Sequence, residues 1–411
     1  MDIIMKIQKL LPKSFFFLLV LSFVKPLMAQ SQTDTALTNQ VNNLSQELNK
    51  LKEGDSHFMI VGLTTFGFIS QKTTNTLGGI KTSAKYNSLG DADNYELSPM
   101  FLFRHGDNVL VEFEPSFNGT DLGVNWAAIS YFLTPGVIIR GGYFVLPFGT
   151  YSKRLAAGWI NKLASDPAGV NPAGTDFGVE IEGGIPLGSM KASYDFAVSN
   201  GFQLNPDGTL GSVGISAIQN NKTFTGRIGL LPFANSGLEI GLSGLIGNLA
   251  YPGNAQNPYS NPSVSMYGLD FNLVKNLSPF QLNIKGQYSL VKVNRQNFIN
   301  PGDSTQTYSF DNSTKSGYGQ VSLRPFLLEN KLLKNFELAY RYTNYISPSG
   351  STWGQNYKEN DFGLDYWLSW RTVLKITYED IQVQGTSSPI LSGIQGSTQT
   401  NRLILQFSTG F

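Results

Sequence analysis

The chain has 411 residues, no cysteine and two histidines, and only 14% of its residues are charged. Soluble proteins carry about 25% charged residues, yet the mean hydropathy of −0.11 is not that of a helical membrane protein. Disulfides and thiolate chemistry are excluded, and His57 and His105 alone do not make a histidine-rich metal site. A net charge of +1 gives no electrostatic reason to expect nucleic acid as a partner.

Residues 1–29 have the features of a secretory signal peptide. Three lysines precede an apolar run over residues 15–24, within the usual length of a signal h-region, and Ala29 offers a small residue at a cleavage site. A transmembrane anchor is the alternative, but the run is shorter than the roughly 20 residues that a helix needs to span a bilayer. We therefore expect an exported protein.

Residues 30–54 form a separate polar segment that has no aromatic residues. Its aliphatic residues recur at alternating spacings of four and three, which is the a/d pattern of a coiled coil; they are Leu37, Val41, Leu44, Leu48 and Leu51. The pattern covers about two heptads, fewer than the three or four that secure such an assignment. A short periplasmic coiled coil is expected, and a polar spacer is the alternative.

Residues 55–411 alternate between apolar and polar residues with a period of two. In the last segment Leu403, Leu405 and Phe407 share one face, and Ile404 and Gln406 lie on the other. Successive side chains of a strand point to opposite faces, so such runs predict strands with one apolar and one polar side. We expect about sixteen strands, over 58–70, 95–104, 108–117, 122–132, 137–146, 176–185, 190–200, 223–231, 238–247, 265–274, 279–292, 315–325, 334–346, 359–369, 372–383 and 401–411.

The connections between these runs alternate between long and short. The long ones are 71–94, 147–175, 201–222, 248–264, 293–314, 347–358 and 384–400, and only 118–121 breaks the pattern by being short. Long loops at one end and tight turns at the other are typical of outer-membrane barrels, which must close because lipid leaves no partner for edge amides. The prediction is an all-β transmembrane antiparallel barrel, with a soluble sandwich or β-helix as the alternative.

The candidate functional residues lie on the polar face and in the connection 147–175. Lys153, Arg154 and Lys162 in this loop would attract anionic solutes if the loop lay inside the barrel; an outward-facing loop is the alternative. The polar face is expected to contribute channel-lining charges of both signs, namely Arg104, Arg140, Glu112, Glu114, Glu180 and Glu182. Paired carboxylates also serve hydrolytic enzymes, but alternate charged residues are expected on a wet barrel wall.

No constellation of a nucleophile and a base is visible, so neither an enzyme nor a cofactor is expected. His57 and His105 are the only imidazoles, and neither lies in a catalytic motif. A plugged, energy-coupled transporter would need about 22 strands and a plug domain, for which the residues before the first strand leave no room.

Two local motifs resemble those of known proteins. The segment 142–149, GYFVLPFG, followed by Trp159 to Lys162, resembles the phosphate-selective O/P type porin superfamily. The final strand, which ends on Phe411, resembles the signal read by the bacterial outer-membrane assembly machinery. The family resemblance implies a homotrimeric channel whose third long loop folds inward; the phosphate specificity is not carried over, because a dense arginine ladder is missing.

The sequence therefore predicts an outer-membrane porin for passive diffusion of small hydrophilic solutes through a water-filled channel, narrowed by loop 147–175. Anion preference is expected only if the basic groups cluster at the constriction. The alternative is a barrel that its loops keep closed and that acts as a binding, adhesion or assembly partner.

Overall fold

The computed structural model describes residues 56–90, 95–215, 222–233, 237–250, 262–300, 303–386 and 396–411. The predicted signal peptide and the predicted coiled coil both lie outside these residues. Within them no helix is long and apolar enough to cross a membrane.

The described chain is almost entirely β-structure. Two short helical turns, a π-helical one at Tyr151–Leu155 and a 3-10 one at Leu333–Asn335, interrupt it. The strands are β1 Ser56–Leu77, β2 Ile80–Leu89, β3 Tyr95–His105, β4 Val109–Phe117, β5 Leu122–Thr134, β6 Val137–Val145, β7 Thr175–Leu187, β8 Met190–Ser199, β9 Phe202–Leu204, β10 Leu210–Ser212, β11 Thr223–Leu231, β12 Leu238–Asn248, β13 Ser263–Leu277, β14 Phe280–Val293, β15 Phe298–Asn300, β16 Asp303–Tyr308, β17 Ser313–Arg324, β18 Phe336–Ile346, β19 Gln355–Trp367, β20 Thr372–Gly385 and β21 Gly396–Gly410.

The strands form a closed sixteen-stranded antiparallel barrel, as the alternation predicts. Each barrel strand pairs with its neighbours along the chain, and β1 pairs with β21 to close the sheet, for example at Leu63 and Gly410. β2 and β3 both pair with the long β1 and together count as one barrel strand. Closure leaves no open edge, which is the condition for a sheet in lipid.

The barrel is apolar outside and polar inside. On β20, Leu374, Ile376 and Tyr378 are exposed on the outer surface, whereas Lys375 and Glu379 are buried in the interior. On β18, β19 and β21, too, the exposed residues are mostly apolar and the buried residues are mostly polar. This pattern is the reverse of a soluble protein and identifies a membrane-spanning barrel.

The first long connection differs from the prediction. Residues 71–94 were expected to be a loop, but β1 continues to Leu77 and returns as β2 through a two-residue turn at Gly78 and Gly79, both with positive φ. Glycine tolerates this conformation and favours such hairpin turns. The segment lacks the period-two alternation because neither of its faces is apolar.

One part of the inner wall is apolar rather than polar. At the long-loop end, inward side chains of β12 to β14, such as Leu245 and Met266, are buried against Phe202 of β9 and Phe298 of β15. The hairpins β9–β10 and β15–β16 therefore fold over this side of the barrel mouth and pack there. The expectation of a uniformly wet inner face is wrong at this position, because these loops cover it.

Candidate functional site

The connection between β6 and β7 enters the barrel and crosses its interior. It leaves β6 at Val145 and returns to β7 at Thr175. Between these points its backbone and side chains form hydrogen bonds with inward residues of β12, β14, β17, β18, β20 and β21. We call residues 146–174 the inner loop.

Apolar side chains hold the start of the inner loop against the wall. Phe144, Leu146 and Phe148 are fully buried or nearly so and belong to the apolar cluster on β12 to β14. Gly149 allows the close approach to this wall, because it has a φ of +70° and a Cβ there would overlap the side-chain amide of Gln287 on β14. Gly142 has no room for a Cβ either, because the backbone of the neighbouring strand β5 lies against it. The motif 142–149 thus directs the chain inward.

Lysines of the wall bind carbonyl groups of the inner loop. Lys375 Nζ donates to the carbonyl oxygens of Asn161 at 2.8 Å and Leu163 at 3.0 Å. Lys285 Nζ donates to the carbonyl oxygen of Ile160 at 3.3 Å. These three carbonyls lie outside regular secondary structure, so the buried lysine side chains supply their hydrogen-bond donors and hold the loop.

The far side of the inner loop packs on β21, across the barrel from where the loop begins. A Cβ on Gly158 would lie 3.2 Å from Ser408 Cβ. The ring of Trp159 lies so close to Gly410 that a Cβ there would be 2.6 Å from the indole. The loop therefore spans the lumen from β12 to β21.

A buried hydroxyl stabilises the loop from within. Tyr151 is fully buried and donates a hydrogen bond from its hydroxyl to Asp166 Oδ1 at 2.6 Å. Burial, together with the negative charge of Asp166, raises the pKa of Tyr151 well above its ordinary value. The hydroxyl therefore stays protonated and remains a donor.

The first loop cation is surrounded by carboxylates. Lys153 Nζ lies 2.7 Å from Glu180 Oε1, 2.6 Å from Glu182 Oε2 and 3.5 Å from Asp195 Oδ1. Arg140 of β6 binds both Glu180 and Glu182 from the wall. The positive charge that was expected to attract anions is thus offset by three acidic groups of β7 and β8.

The other two loop cations are paired as well. Arg154 Nη1 lies 3.0 Å from Glu239 Oε1. Lys162 Nζ lies 3.4 Å from Glu337 Oε2 and 4.3 Å from the ring centre of Trp367. Of the three, Arg154 is the most exposed.

The inner loop leaves an open cavity on one side of the barrel, with a volume of about 1380 Å³. Its walls are the loop segment 152–166 and inward residues of β1, β3 to β6 and β19 to β21. Along β1 the lining runs from Val61 to Gln71, and along β21 from Thr400 towards Phe411. At about 3.3 Å per residue this is roughly 30 Å of strand.

The charged residues that line the cavity differ in whether they are paired. On β3 and β4, Glu96 and Glu114 both accept hydrogen bonds from Asn125, and neither has a cationic partner among the described residues. Arg371 also lines the cavity, and its guanidinium lies 4.0 Å from the ring centre of Trp370; Arg402 is paired with an acid of β20. The cavity is therefore lined by charges of both signs, of which Glu96 and Glu114 lack a cationic partner among the described residues.

The structure brings most, but not all, of the residues expected from the sequence to this cavity. Those that border it are Lys153, Arg154, Arg140, Glu112 and Glu114. Glu180 and Glu182 lie behind Lys153, Lys162 is enclosed between loop and wall, and Arg104 donates to the carbonyls of its own turn. The cavity residues Glu96, Asp166, Arg371 and Arg402 were missed, although strand parity already places Glu96 on the inner face with Glu112.

Comparisons with known proteins point to one fold. No protein-family model matches the sequence, and no curated protein is significantly similar to it. Among solved structures, the outer membrane channel DcaP of Acinetobacter baumannii is similar with a TM-score of 0.56 and 12% identity, over 88% of this chain and 99% of that one.

Two further structures agree. The anion-selective porin from Comamonas acidovorans gives a TM-score of 0.51 and 14% identity, over 87% of this chain and 100% of that one. OmpF of Salmonella typhi, in complex with daunomycin, gives a TM-score of 0.50 and 8% identity, over 85% of this chain and 97% of that one. At these identities the likeness establishes the fold: the protein is a porin-like sixteen-stranded β-barrel.

Proposed function

We propose that the protein is a porin of the bacterial outer membrane, which lets small hydrophilic solutes diffuse passively through a water-filled channel. One observation carries the proposal: a cavity lined by charged and polar groups runs along β1 and β21, beside a loop held across the lumen. A packed or purely structural barrel would have no use for such a lining. The proposed mechanism needs no covalent step and no cofactor.

The inner loop sets the size limit in this proposal. Its segment 152–166 lies opposite the wall of β3 to β6, so solutes would pass between the two. Hydrogen bonds to several strands keep the segment in place, which makes the gap a fixed one. The polar lining replaces part of a solute's hydration and keeps a water column in the gap.

The ion preference follows from which charges remain unpaired. The anion preference suggested by Lys153, Arg154 and Lys162 is weakened, because each of them is paired with a carboxylate. Glu96 and Glu114 line the cavity and have no cationic partner among the described residues. We expect a weak preference for cations. A measured preference for anions would instead support the prediction made from Lys153, Arg154 and Lys162.

Location, assembly and family belong to the same proposal. An exposed apolar outer face suits outer-membrane lipid, and Phe411, at the end of the strand that closes the barrel, suits recognition by the outer-membrane assembly machinery. The motif 142–149 begins the inner loop, which supports the resemblance to the phosphate-selective O/P type porin superfamily.

We also propose a homotrimer, motivated by the heptad pattern at residues 37–51 and by the family resemblance. Light scattering of the purified protein in detergent measures the mass of the protein part. Three protomers are expected, and a mass of one protomer would refute the trimer.

Liposome swelling tests the channel. Liposomes that contain the folded protein should swell in isotonic solutions of small sugars, at rates that fall steeply as the sugar becomes larger, because the gap limits passage. Liposomes with heat-denatured protein are the control. If folded protein gives no swelling even with the smallest sugar, the loop-closed barrel, favoured by the hairpins packed over the mouth, replaces the porin.

A further inference from the structure

Strands β19 and β20 place three buried carboxylates together on the inner wall. Glu359 and Asp361 lie on the same face of β19, and Glu379 of β20 is the register partner of Asp361. Each of the three side chains is at least 98% buried. One carboxylate oxygen from each lies within 4.8 Å of those of the other two.

Several buried polar atoms around these carboxylates have no hydrogen-bond partner. They include Glu359 Oε2 and Asp361 Oδ1 of the cluster itself. On the adjacent strand β18, Thr343 Oγ1, the register partner of Glu359, is also without a partner, and Thr343 is fully buried. Buried polar atoms are normally paired, so these unpartnered oxygens are available to a ligand.

The neighbouring arginines neutralise only part of the charge. Arg341 Nε donates to Asp361 Oδ2 at 2.7 Å, and Arg402 Nη1 lies 3.3 Å from Glu379 Oε2. Two positive charges thus face three negative ones, and no lysine lies within ion-pair distance of the three carboxylates among the described residues. A buried carboxylate without a counter-charge is costly.

A second trio of acids in the same barrel shows how such a cluster is filled. Glu180, Glu182 and Asp195 are equally close together, but the ammonium group of Lys153 lies among them. A protein cation therefore occupies one trio, and the trio at Glu359 lacks the equivalent group.

We propose that Glu359, Asp361 and Glu379 bind a hard divalent cation of the calcium class, with the hydroxyl oxygen of Thr343 available as a neutral ligand. Carboxylate, hydroxyl and amide oxygens are the ligands that Ca²⁺ prefers. Glu359 borders the main cavity, which gives the ion a path from the lumen. Ser165 of the inner loop donates to Glu379 Oε1 at 2.5 Å, so the ion would also stabilise the loop. This proposal does not depend on conduction.

Terbium luminescence tests the site. Full-length protein, refolded in detergent without lipopolysaccharide and treated with a chelator, is titrated with Tb³⁺ under excitation of its tyrosines. Tyr357 lies on the same face of β19, two residues from Glu359, and is a nearby sensitiser. We expect saturable luminescence that Ca²⁺ displaces at concentrations below about 1 mM.

Two variants locate the signal. Glu359→Gln keeps the side-chain shape and should weaken binding about tenfold or more, because it removes a charged ligand. Asp380→Asn changes the next residue after Glu379, on the outer face, and should leave binding unchanged.

Two results would overturn the proposal: folded wild-type protein that gives no saturable signal, or equal affinity in Glu359→Gln and the wild type. The absence of a saturable signal would mean that a bound proton, and not a metal ion, relieves the repulsion between the three carboxylates. Folding of each variant is checked by its heat-modifiable electrophoretic mobility, and Glu379→Gln serves if Glu359→Gln does not fold.

Discussion

The charged side chains inside the barrel occur mostly as matched groups. Arg227 binds Asp270 and Glu239, Arg341 binds Asp361, and both arginines are at least 98% buried. Burial of an ion pair gains little net stability, but removal of one partner is costly because the other charge stays buried. The paired charges therefore fix the geometry of the lumen, and the unpaired charges determine the electrostatic potential inside it.

Glu96 and Glu114 are expected to set the ion preference. Their replacement by glutamine removes two negative charges from the cavity wall while the hydrogen bonds to Asn125 retain oxygen acceptors. A unit charge about 7 Å from a passing ion in water changes its energy by about 0.6 kcal/mol, and salt screens part of this. Because each charge acts oppositely on cations and anions, the cation-to-anion permeability ratio should fall about fivefold in the double variant after screening.

The reversal potential in a salt gradient measures this change. Asp380→Asn, which removes a carboxylate from the outer face, is the matched control and should leave the potential unchanged. An unchanged ratio in the double variant would show that these carboxylates do not face the conducting path.

At the level of elements, the inner loop is held by contacts from both sides of the barrel rather than by its own secondary structure. The apolar motif fixes its start, wall lysines bind its carbonyls, and Trp159 packs on β21. The loop is therefore expected to be a rigid part of the barrel and not a mobile surface segment.

A disulfide tests this placement directly. Cysteines at Gly158 and Ser408 would have Cβ atoms about 3.2 Å apart, close to the separation of about 3.8 Å in natural disulfides. Because the chain has no cysteine, the only possible intramolecular bond is the engineered one. Nonreducing electrophoresis should show nearly complete cross-linking of the folded double variant.

Gly106→Cys combined with Ser408→Cys is the control, since Gly106 lies in a turn with no atom within 4 Å of its Cβ position. Equal cross-linking in both variants, or none in the first, would place the inner loop elsewhere.

The strands were predictable from the sequence because lipid imposes a strict alternation on them. The expected run 372–383, for example, corresponds to Thr372–Gly385, and the short exception 118–121 is a tight turn. β2 was not predictable, because above the membrane neither face of a strand has to be apolar. The alternation of apolar and polar residues therefore predicts the part of each strand that lies in the membrane, but not the full length of the strand.

The candidate site was only partly predictable. Parity placed Arg140 and Glu180 on the inner face, and the family resemblance implied that the third loop folds inward. The partners of Lys153 were not predictable, because they depend on how a 29-residue connection crosses the lumen and no local pattern encodes that path. The expected net positive constriction is therefore replaced by paired charges.

For the whole molecule, the interior is divided between a packed side and an open side. The inner loop and two hairpins fill the side next to β12 to β14, and the cavity follows β1 and β3 to β6. A barrel of sixteen strands is wide enough to hold both a loop and a water column. The central claim is that this open side conducts.

Single-channel conductance in a planar lipid bilayer tests that claim most directly. The full-length wild-type protein should give stable current steps, and under a salt gradient a small reversal potential with the sign of cation preference. Correctly folded protein that inserts but produces no steps would contradict the account, because the cavity between the inner loop and β1 would then be closed to ions.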